Sequence, residues 1–187
     1  CTTSDIDKSL DEVYKLGVRQ MELVNKFDNA LAGVAGDSGA IAPLVNAANF
    51  LETGSFWDMR SCPGSDPEVS DHTQLTAVPD AVPAQDELFG AVTKLFGTLH
   101  TALPIYQAGP TCNTRGLTDL GKHTIEAMAA KHMIFDPDHM SVSGRKAALD
   151  LVEALHYPGV VSSHSWATPD AYPRIYRLGG FVAPYAG

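Results

Sequence analysis

Two short apolar runs, each followed by a histidine, constrain this sequence more than any other feature. The first lies within residues 132–141 (HMIFDPDHMS) and leads to His139, and the second lies within residues 158–166 (PGVVSSHSW) and leads to His164. A stretch with helical spacing separates them. This order predicts a βαβ unit with two neighbouring parallel strands. Both histidines then lie at the C-terminal edge of the sheet, where two imidazoles can bind one metal ion.

Helical and strand-like segments alternate along the rest of the chain. Further strands are predicted at 18–24 and 179–185, and Thr118 and Ser141 (or Ser143) are suitable N-caps for two of the helices. Such alternation is typical of a parallel sheet. The sequence has neither the glycine pattern of a dinucleotide-binding turn nor a P-loop. We therefore expect an α/β chain with about four parallel strands and helices between them.

Residues 33–113 differ from their flanks. Gly, Pro, Ser and Ala dominate the first part, and the only apolar patches there are short, at 44–45 and 50–51. An amphipathic helix is predicted from Asp86 onwards, with Leu88, Val92 and Leu95 on one face. We interpret 33–113 as a loop-rich insertion containing one helix, because long loops in compact folds are usually lids or insertions.

Charge and hydropathy bear on the possible partners. The chain has 13 basic and 22 acidic residues, a formal net charge of −9. This argues against a nucleic-acid partner, because a basic surface is needed to neutralise phosphates. No apolar run is long enough to span a membrane, and no signal-peptide pattern stands at the start.

The three cysteines leave two interpretations open. None of Cys1, Cys62 and Cys112 belongs to a Cys-x-x-Cys pair, so a zinc ribbon is not indicated. Cys62 and Cys112 bracket a loop-rich segment and form a disulfide in one interpretation, while both are free thiols in the other. A disulfide favours a secreted or extracellular protein.

Three motifs in fixed order resemble the membrane dipeptidase (renal dipeptidase) family of the amidohydrolase superfamily. They are LTDLG at 117–121, IFDPDHMS at 134–141 and VVSSHS at 160–165, and LGVRQMEL at 16–23 resembles the strand before them. The resemblance covers roughly residues 4–32 and 114–187. It implies a TIM (β/α)8 barrel with a binuclear zinc centre that hydrolyses dipeptides. Residues 1–187 would then form part of the barrel, about four of its eight strands.

The resemblance also implies roles for individual residues. His139 and His164 match the two histidines that hold one of the two metal ions, and Asp136 matches a carboxylate that accepts a hydrogen bond from a ligand imidazole. Arg174 falls near the arginine that binds the substrate carboxylate; a surface arginine at a helix start is the alternative. Asn25 replaces a histidine of the family and is a candidate for binding polar substrate groups, a polar loop being the alternative. Asp138 is interpreted as a solvated helix-capping residue.

Several family residues have no counterpart here. The sequence contains no His-x-Asp pair, and no glutamate stands at Cys1 where the bridging carboxylate is expected. The remainder of the barrel would come from another segment or chain. Four strands alone leave open edges, and we expect an apolar inner face. The residues assigned to that face are Met21, Leu23, Ile134, Val160 and Val182.

The expected function is that of a metal-dependent hydrolase of amide bonds, dipeptidase-like, acting on a small peptide-like substrate. The divalent metal, expected to be zinc, is binuclear in the complete parent protein, and this chain alone is expected to be inactive. Two alternatives stay open. One is a catalytically silent barrel domain of a secreted multidomain protein, which the missing His-x-Asp pair favours. The other is a barrel hydrolase that acts on phosphoesters or lactones.

Overall fold

The computed structural model describes residues 1–38, 41–71, 83–98, 100–107 and 109–184. These residues form helices and short strands in a mixed α/β arrangement. In chain order the elements are α1 (Thr3–Lys15), β1 (Gln20–Glu22), α2 (Ala42–Thr53), β2 (Met59–Ser61), α3 (Pro83–Thr98), β3 (Thr111–Asn113), α4 (Asp119–Ala130), β4 (Ile134–Asp136), α5 (Val142–Ala154), β5 (Val161–Ser162), α6 (Tyr172–Leu178) and β6 (Phe181–Val182). The predicted strand at 179–185 extends past residue 184, beyond the described residues.

Four of the strands lie side by side in the order β1, β4, β5, β6, and all neighbours are parallel. Gln20 of β1 is opposite Ile134 of β4. A bridge between Phe135 and Val160 continues the row to β5, and Val161 pairs with Phe181 of β6. We call these strands with α1, α4, α5 and α6 the parallel layer. The predicted parallel α/β arrangement is confirmed, whereas no sheet closes among the described residues.

Side-chain caps fix where α1, α4 and α5 of the parallel layer begin. Thr118 accepts from the N–H of Gly121, and Ser141 accepts from the N–H of Gly144, as their position before an amphipathic segment predicts. Helix α1 begins with a capping box between Thr2 and Asp5. Each cap satisfies backbone N–H groups that the helix itself leaves unpaired.

The strands are apolar on the face that meets the helices, and the other face carries polar side chains together with Ile134, which is opposite Gln20. Met21 is opposite Phe135 in the β1–β4 register, and parallel partners point to the same side of a sheet. Phe135 is fully buried in the main core, and Met21 lines an apolar cavity of about 200 Å³ together with Ile6, Leu10 and Val13 of α1.

The opposite face carries Gln20, Glu22 and Asp136, by alternation along the strands. The expectation that Met21 and Val160 point away from the helices is therefore wrong. Both share the side of Phe135, because the pleat alternates with a period of two and the strand phase was taken one residue out.

Among its described residues the insertion has two helices, α2 and α3, where the sequence predicts one. It also contains an antiparallel pair, in which Met59 of β2 is opposite Asn113 of β3. Helix α2 escapes an apolar-periodicity search because its buried face includes Asn46 and Asn49, while Leu44 and Leu51 are exposed. Its buried asparagines are stabilised by hydrogen bonds, such as that from Asn46 Nδ2 to the hydroxyl of Tyr106 at 2.8 Å.

A disulfide joins Cys62 and Cys112, which confirms that interpretation of the two cysteines. Their Cα atoms lie 4.9 Å apart, and the bond closes a sequence separation of 50 residues. Cys1 is exposed with a free thiol. The disulfide is compatible with an extracellular protein. Within the described part of the chain, none of the helices is both long and apolar enough to cross a lipid bilayer.

Candidate metal centre

Three neighbouring strands of the parallel layer deliver potential metal ligands to one edge. Glu22 is the last residue of β1, His139 follows β4 by three residues, and His164 follows β5 by two. Because β1, β4 and β5 are parallel neighbours, their C-terminal ends meet at the same edge. The sequence predicts both histidines at this edge, and in the structure the carboxylate of Glu22 lies at the same edge.

The three side chains face one another closely. The Nε2 atoms of His139 and His164 are 2.7 Å apart, and Oε1 of Glu22 lies 3.5 Å from Nε2 of His164. One potential ligand atom from each residue lies within 4.8 Å of the other two. Two imidazole nitrogens and a carboxylate oxygen are a ligand set that zinc adopts in proteins. The residues present therefore fit a divalent metal ion.

The surroundings of His139 favour a neutral imidazole. The residue is 4% exposed, and its ring stacks on Trp166 with centroids 4.5 Å apart. Burial, reinforced by the neighbouring His164 and Lys26, lowers the pKa of His139 to about 4. Its backbone adopts the left-handed region, with φ of 63°, in the turn after β4. A neutral imidazole is the form that binds a metal ion.

The carboxylate next to a ligand imidazole belongs to Asp138. It is fully buried, and its Oδ2 lies 3.2 Å from Nδ1 of His164. Asp136 accepts hydrogen bonds from other groups. Nε2 of Gln20 donates to it at 3.0 Å, and the N–H of Asp138 donates to it at 3.2 Å. Burial raises the pKa of Asp136, with hydrogen bonding from Ser163 opposing the rise. The interpretation of Asp138 as a solvated residue is therefore wrong.

Asn25 reaches the candidate centre through Glu22. Its Nδ2 donates to Oε2 of Glu22 at 3.1 Å. A cavity of about 370 Å³ lies beside it, lined by residues 22–29 and by Glu52 of α2. Asn25 thus contacts the carboxylate of the candidate centre and lines a cavity large enough for a small ligand.

Lys26 places a positive charge beside the same centre. Its Nζ pairs with Asp37 at 2.7 Å and lies 4.6 Å from the centroid of the Trp166 ring. Since Trp166 stacks on His139, these side chains form one wall of the site.

Arg174 is engaged elsewhere. Its Nε and Nη2 donate to the two carboxylate oxygens of Glu153, at 2.8 and 2.7 Å, and Nη2 also donates to Asp150 at 2.6 Å. These contacts join α6 to α5, and the guanidinium is 15% exposed. The expected role as a substrate-carboxylate anchor therefore finds no support in this arrangement, because the guanidinium fork is already filled by a carboxylate.

Glu22 and Asp138 are the residues that sequence reasoning missed. Glu22 lies near the end of the strand predicted at 18–24, so the rule that parallel strands present their C-terminal residues at one edge was a usable signal. This signal was obscured because the neighbouring Met21 and Leu23 were assigned to the apolar inner face. Asp138 carried no comparable signal, because its burial depends on where the β5 strand lies.

Comparisons with models of known protein families, with curated protein sequences and with solved structures find no match to this chain. Functional inference therefore depends on the motifs and the geometry given above.

Proposed function

We propose that the protein is a metal-dependent hydrolase of amide bonds, dipeptidase-like, and that His139, His164 and Glu22 bind a divalent ion, zinc by the nature of the ligands. The convergence of these three side chains at the ends of three parallel strands carries the proposal. In a TIM barrel this edge is the active-site face. The parallel layer would be part of such a barrel, completed by another segment or chain that also supplies the ligands of a second ion.

Bound zinc would supply Lewis-acid activation of water and of the scissile carbonyl. The residues of this chain hold and shape the site. The two imidazoles and Glu22 supply the ligand atoms, while Trp166 covers one side of His139. Asn25 lines the adjoining cavity and offers an amide to polar groups of a small peptide-like substrate. The disulfide is compatible with a secreted location, which we include in the proposal.

A catalytically silent barrel domain is the second candidate. The pairing of Arg174 with Glu153 favours it, since that arginine is not available as the expected carboxylate anchor. Such a domain would keep the fold without turnover. Dipeptide hydrolysis by the purified full-length protein, lost on chelation and restored by zinc, would argue against this candidate.

Metal content tests the proposal directly. Elemental analysis of the purified full-length protein should find close to two divalent ions per chain, as the family resemblance implies. His139→Ala and His164→Ala should each remove most of one equivalent. His123→Ala is a matched control, because His123 pairs with Asp7 on the outer helices. Metal content that is unchanged in both site variants would contradict the ligand assignment.

A further inference from the structure

We propose that Asp138 is a positioning residue for His164, fixing both the location of this imidazole and the ring nitrogen that carries its proton. The inference rests on the proposed function, because it concerns how a metal ligand is held. Nothing in the sequence motifs assigns this role to Asp138, which the sequence alone places in a solvated loop.

One buried carboxylate makes three contacts with the end of β5. Oδ1 of Asp138 accepts a hydrogen bond from the hydroxyl of Ser162 at 2.7 Å. Oδ2 accepts one from the backbone N–H of His164 at 2.9 Å and lies 3.2 Å from Nδ1 of the ring. Asp138 therefore ties the loop after β4 to the residues that carry His164. Charge-assisted hydrogen bonds inside a protein are stronger than neutral ones.

The same contacts select a tautomer. A carboxylate 3.2 Å from Nδ1 favours a proton on that nitrogen. The hydroxyl of Ser163, 2.7 Å from Nδ1, can accept the same proton. The lone pair is then on Nε2, which is the atom that faces His139 and Glu22. Metal-binding histidines commonly use such a partner on the second ring nitrogen.

Asp138 could instead be a metal ligand, because Asp136, Asp138 and His164 also bring potential ligand atoms within 4.8 Å of one another. The hydrogen bonds of Asp138 favour a positioning role over a role as metal ligand. Both oxygens of Asp138 already accept hydrogen bonds, from Ser162 and from the N–H of His164. A metal ion bound through Nδ1 would also displace the Ser163 contact.

His139 provides an internal contrast. Its Nδ1 is buried and has no hydrogen-bond partner among the described residues. The two imidazoles of one centre are thus held differently, one by a carboxylate and the other by stacking on Trp166. Loss of the Asp138 charge should therefore act first on His164, and it should reach His139 only through the 2.7 Å contact between the two Nε2 atoms, across which one imidazole donates to the other.

The first measurement is the tautomer of His164 in the metal-free full-length protein, by long-range proton–nitrogen NMR with assignment through His164→Gln. We expect a proton on Nδ1 in the wild type and a mixture of tautomers in Asp138→Asn, which keeps the shape of the side chain but not its charge. Asp150→Asn is the control, since Asp150 is a solvent-facing carboxylate on α5.

The second measurement is zinc affinity, by competition with a chelator. Asp138→Asn should bind zinc about 10- to 100-fold more weakly with unchanged stoichiometry, the range typical of losing such a partner. Ser162→Ala, which removes one hydrogen bond to Asp138, should give a smaller decrease and provides the test if Asp138→Asn fails to fold.

Three results would overturn the inference. They are a wild-type His164 protonated on Nε2, wild-type zinc affinity in both variants, and loss of a whole metal equivalent in Asp138→Asn, which would make Asp138 a ligand. If the wild type binds no zinc, the proposed function fails, and the NMR measurement on the metal-free protein still decides whether Asp138 positions the ring.

Discussion

The parallel layer and the insertion share one apolar core but differ in how much they depend on buried hydrogen bonds. The layer has an apolar core in which Phe135, Met128 and Ile175 have no exposed surface. The insertion contributes Trp57, Met59 and Tyr106 to the same core and has a smaller apolar cluster of its own around Phe96. One disulfide lies within it, and buried polar groups also join it to the layer. Apolar packing is non-directional, whereas each buried hydrogen bond requires a particular partner at a particular angle.

Two aspartates organise that polar junction. Oδ1 of Asp28 accepts from the N–H of Val34 at 2.8 Å and from Nδ2 of Asn113 at 3.0 Å. Asp71 accepts from the N–H of Asn113 at 2.8 Å and from the N–H of Val142, at the start of α5, at 2.8 Å. The insertion is thus held against the layer in one register, which also holds Glu52 beside the cavity next to Glu22.

The difference teaches that a stretch without apolar periodicity, such as α2 with its buried Asn46 and Asn49, can still form a packed helix. Its order depends on the hydrogen bonds of its buried polar groups, since a buried polar group that loses its partner is costly. The layer should tolerate conservative apolar changes, while the junction should be sensitive to any change of donor or acceptor. The following substitutions test this contrast.

The largest loss is expected from Phe135→Ala in the layer. Phe135 is fully buried in the main core, and truncation of such a side chain destabilises a fold by about 3–5 kcal/mol through lost burial and a cavity. Phe181→Ala is the control, because Phe181 is 58% exposed. Urea unfolding measures both. A loss for Phe135→Ala no larger than that of the control would show that the layer does not depend on this core.

Removal of the disulfide should cost almost as much. A closed loop of about 50 residues stabilises the folded state by about 4 kcal/mol in the chain-entropy model. The double variant Cys62→Ser, Cys112→Ser should lose this amount in thermal or urea unfolding, with Cys1→Ser as control. Mass spectrometry of unreduced peptides should show the cross-link. Two free thiols in oxidised native protein would contradict both the pairing and the proposed secreted location.

The junction should also be sensitive to pH through Asp71. Burial raises its pKa to about 6 from 3.8, so the folded protein holds this proton more tightly than the unfolded chain. Its contribution to stability is fully present below about pH 4 and is lost as the pH rises through about 6, on the order of 3 kcal/mol. Asp71→Asn should flatten this part of the stability–pH curve, and identical slopes would contradict the prediction.

The smallest of these effects is expected from Asn113→Ala. The amide of Asn113 donates to Asp28 at 3.0 Å and to the carbonyl of Val34 at 2.9 Å. Loss of this amide leaves the buried acceptors without a partner, which should lower the free energy of unfolding by about 1–3 kcal/mol. Asn25→Ala, at an exposed residue, should change stability by less than about 0.5 kcal/mol. Equal changes in the free energy of unfolding would show that the buried hydrogen bonds of Asn113 stabilise the fold no more than those of an exposed asparagine.

The sequence alone determined the features that depend on short stretches of chain. The caps at Thr118 and Ser141, the parallel strands that lead to His139 and His164, and the Cys62–Cys112 pairing as one of two interpretations all follow from periodicity, capping chemistry or spacing. Such signals are local, because a helix or strand buries one face of its own side chains at a fixed period. The placement of both histidines at one edge followed from the parallel arrangement alone.

The tertiary structure decided what depends on the relative positions of elements. Helix α2 was missed because its buried face contains Asn46 and Asn49, whose partners are distant in sequence. Arg174 was assigned to the site, yet it pairs with Glu153 because α6 packs on α5. Glu22 and Asp138 join the candidate centre only when β1, β4 and β5 are side by side. A side chain's neighbours across a fold are set by packing, and one residue of strand phase reverses the face it presents.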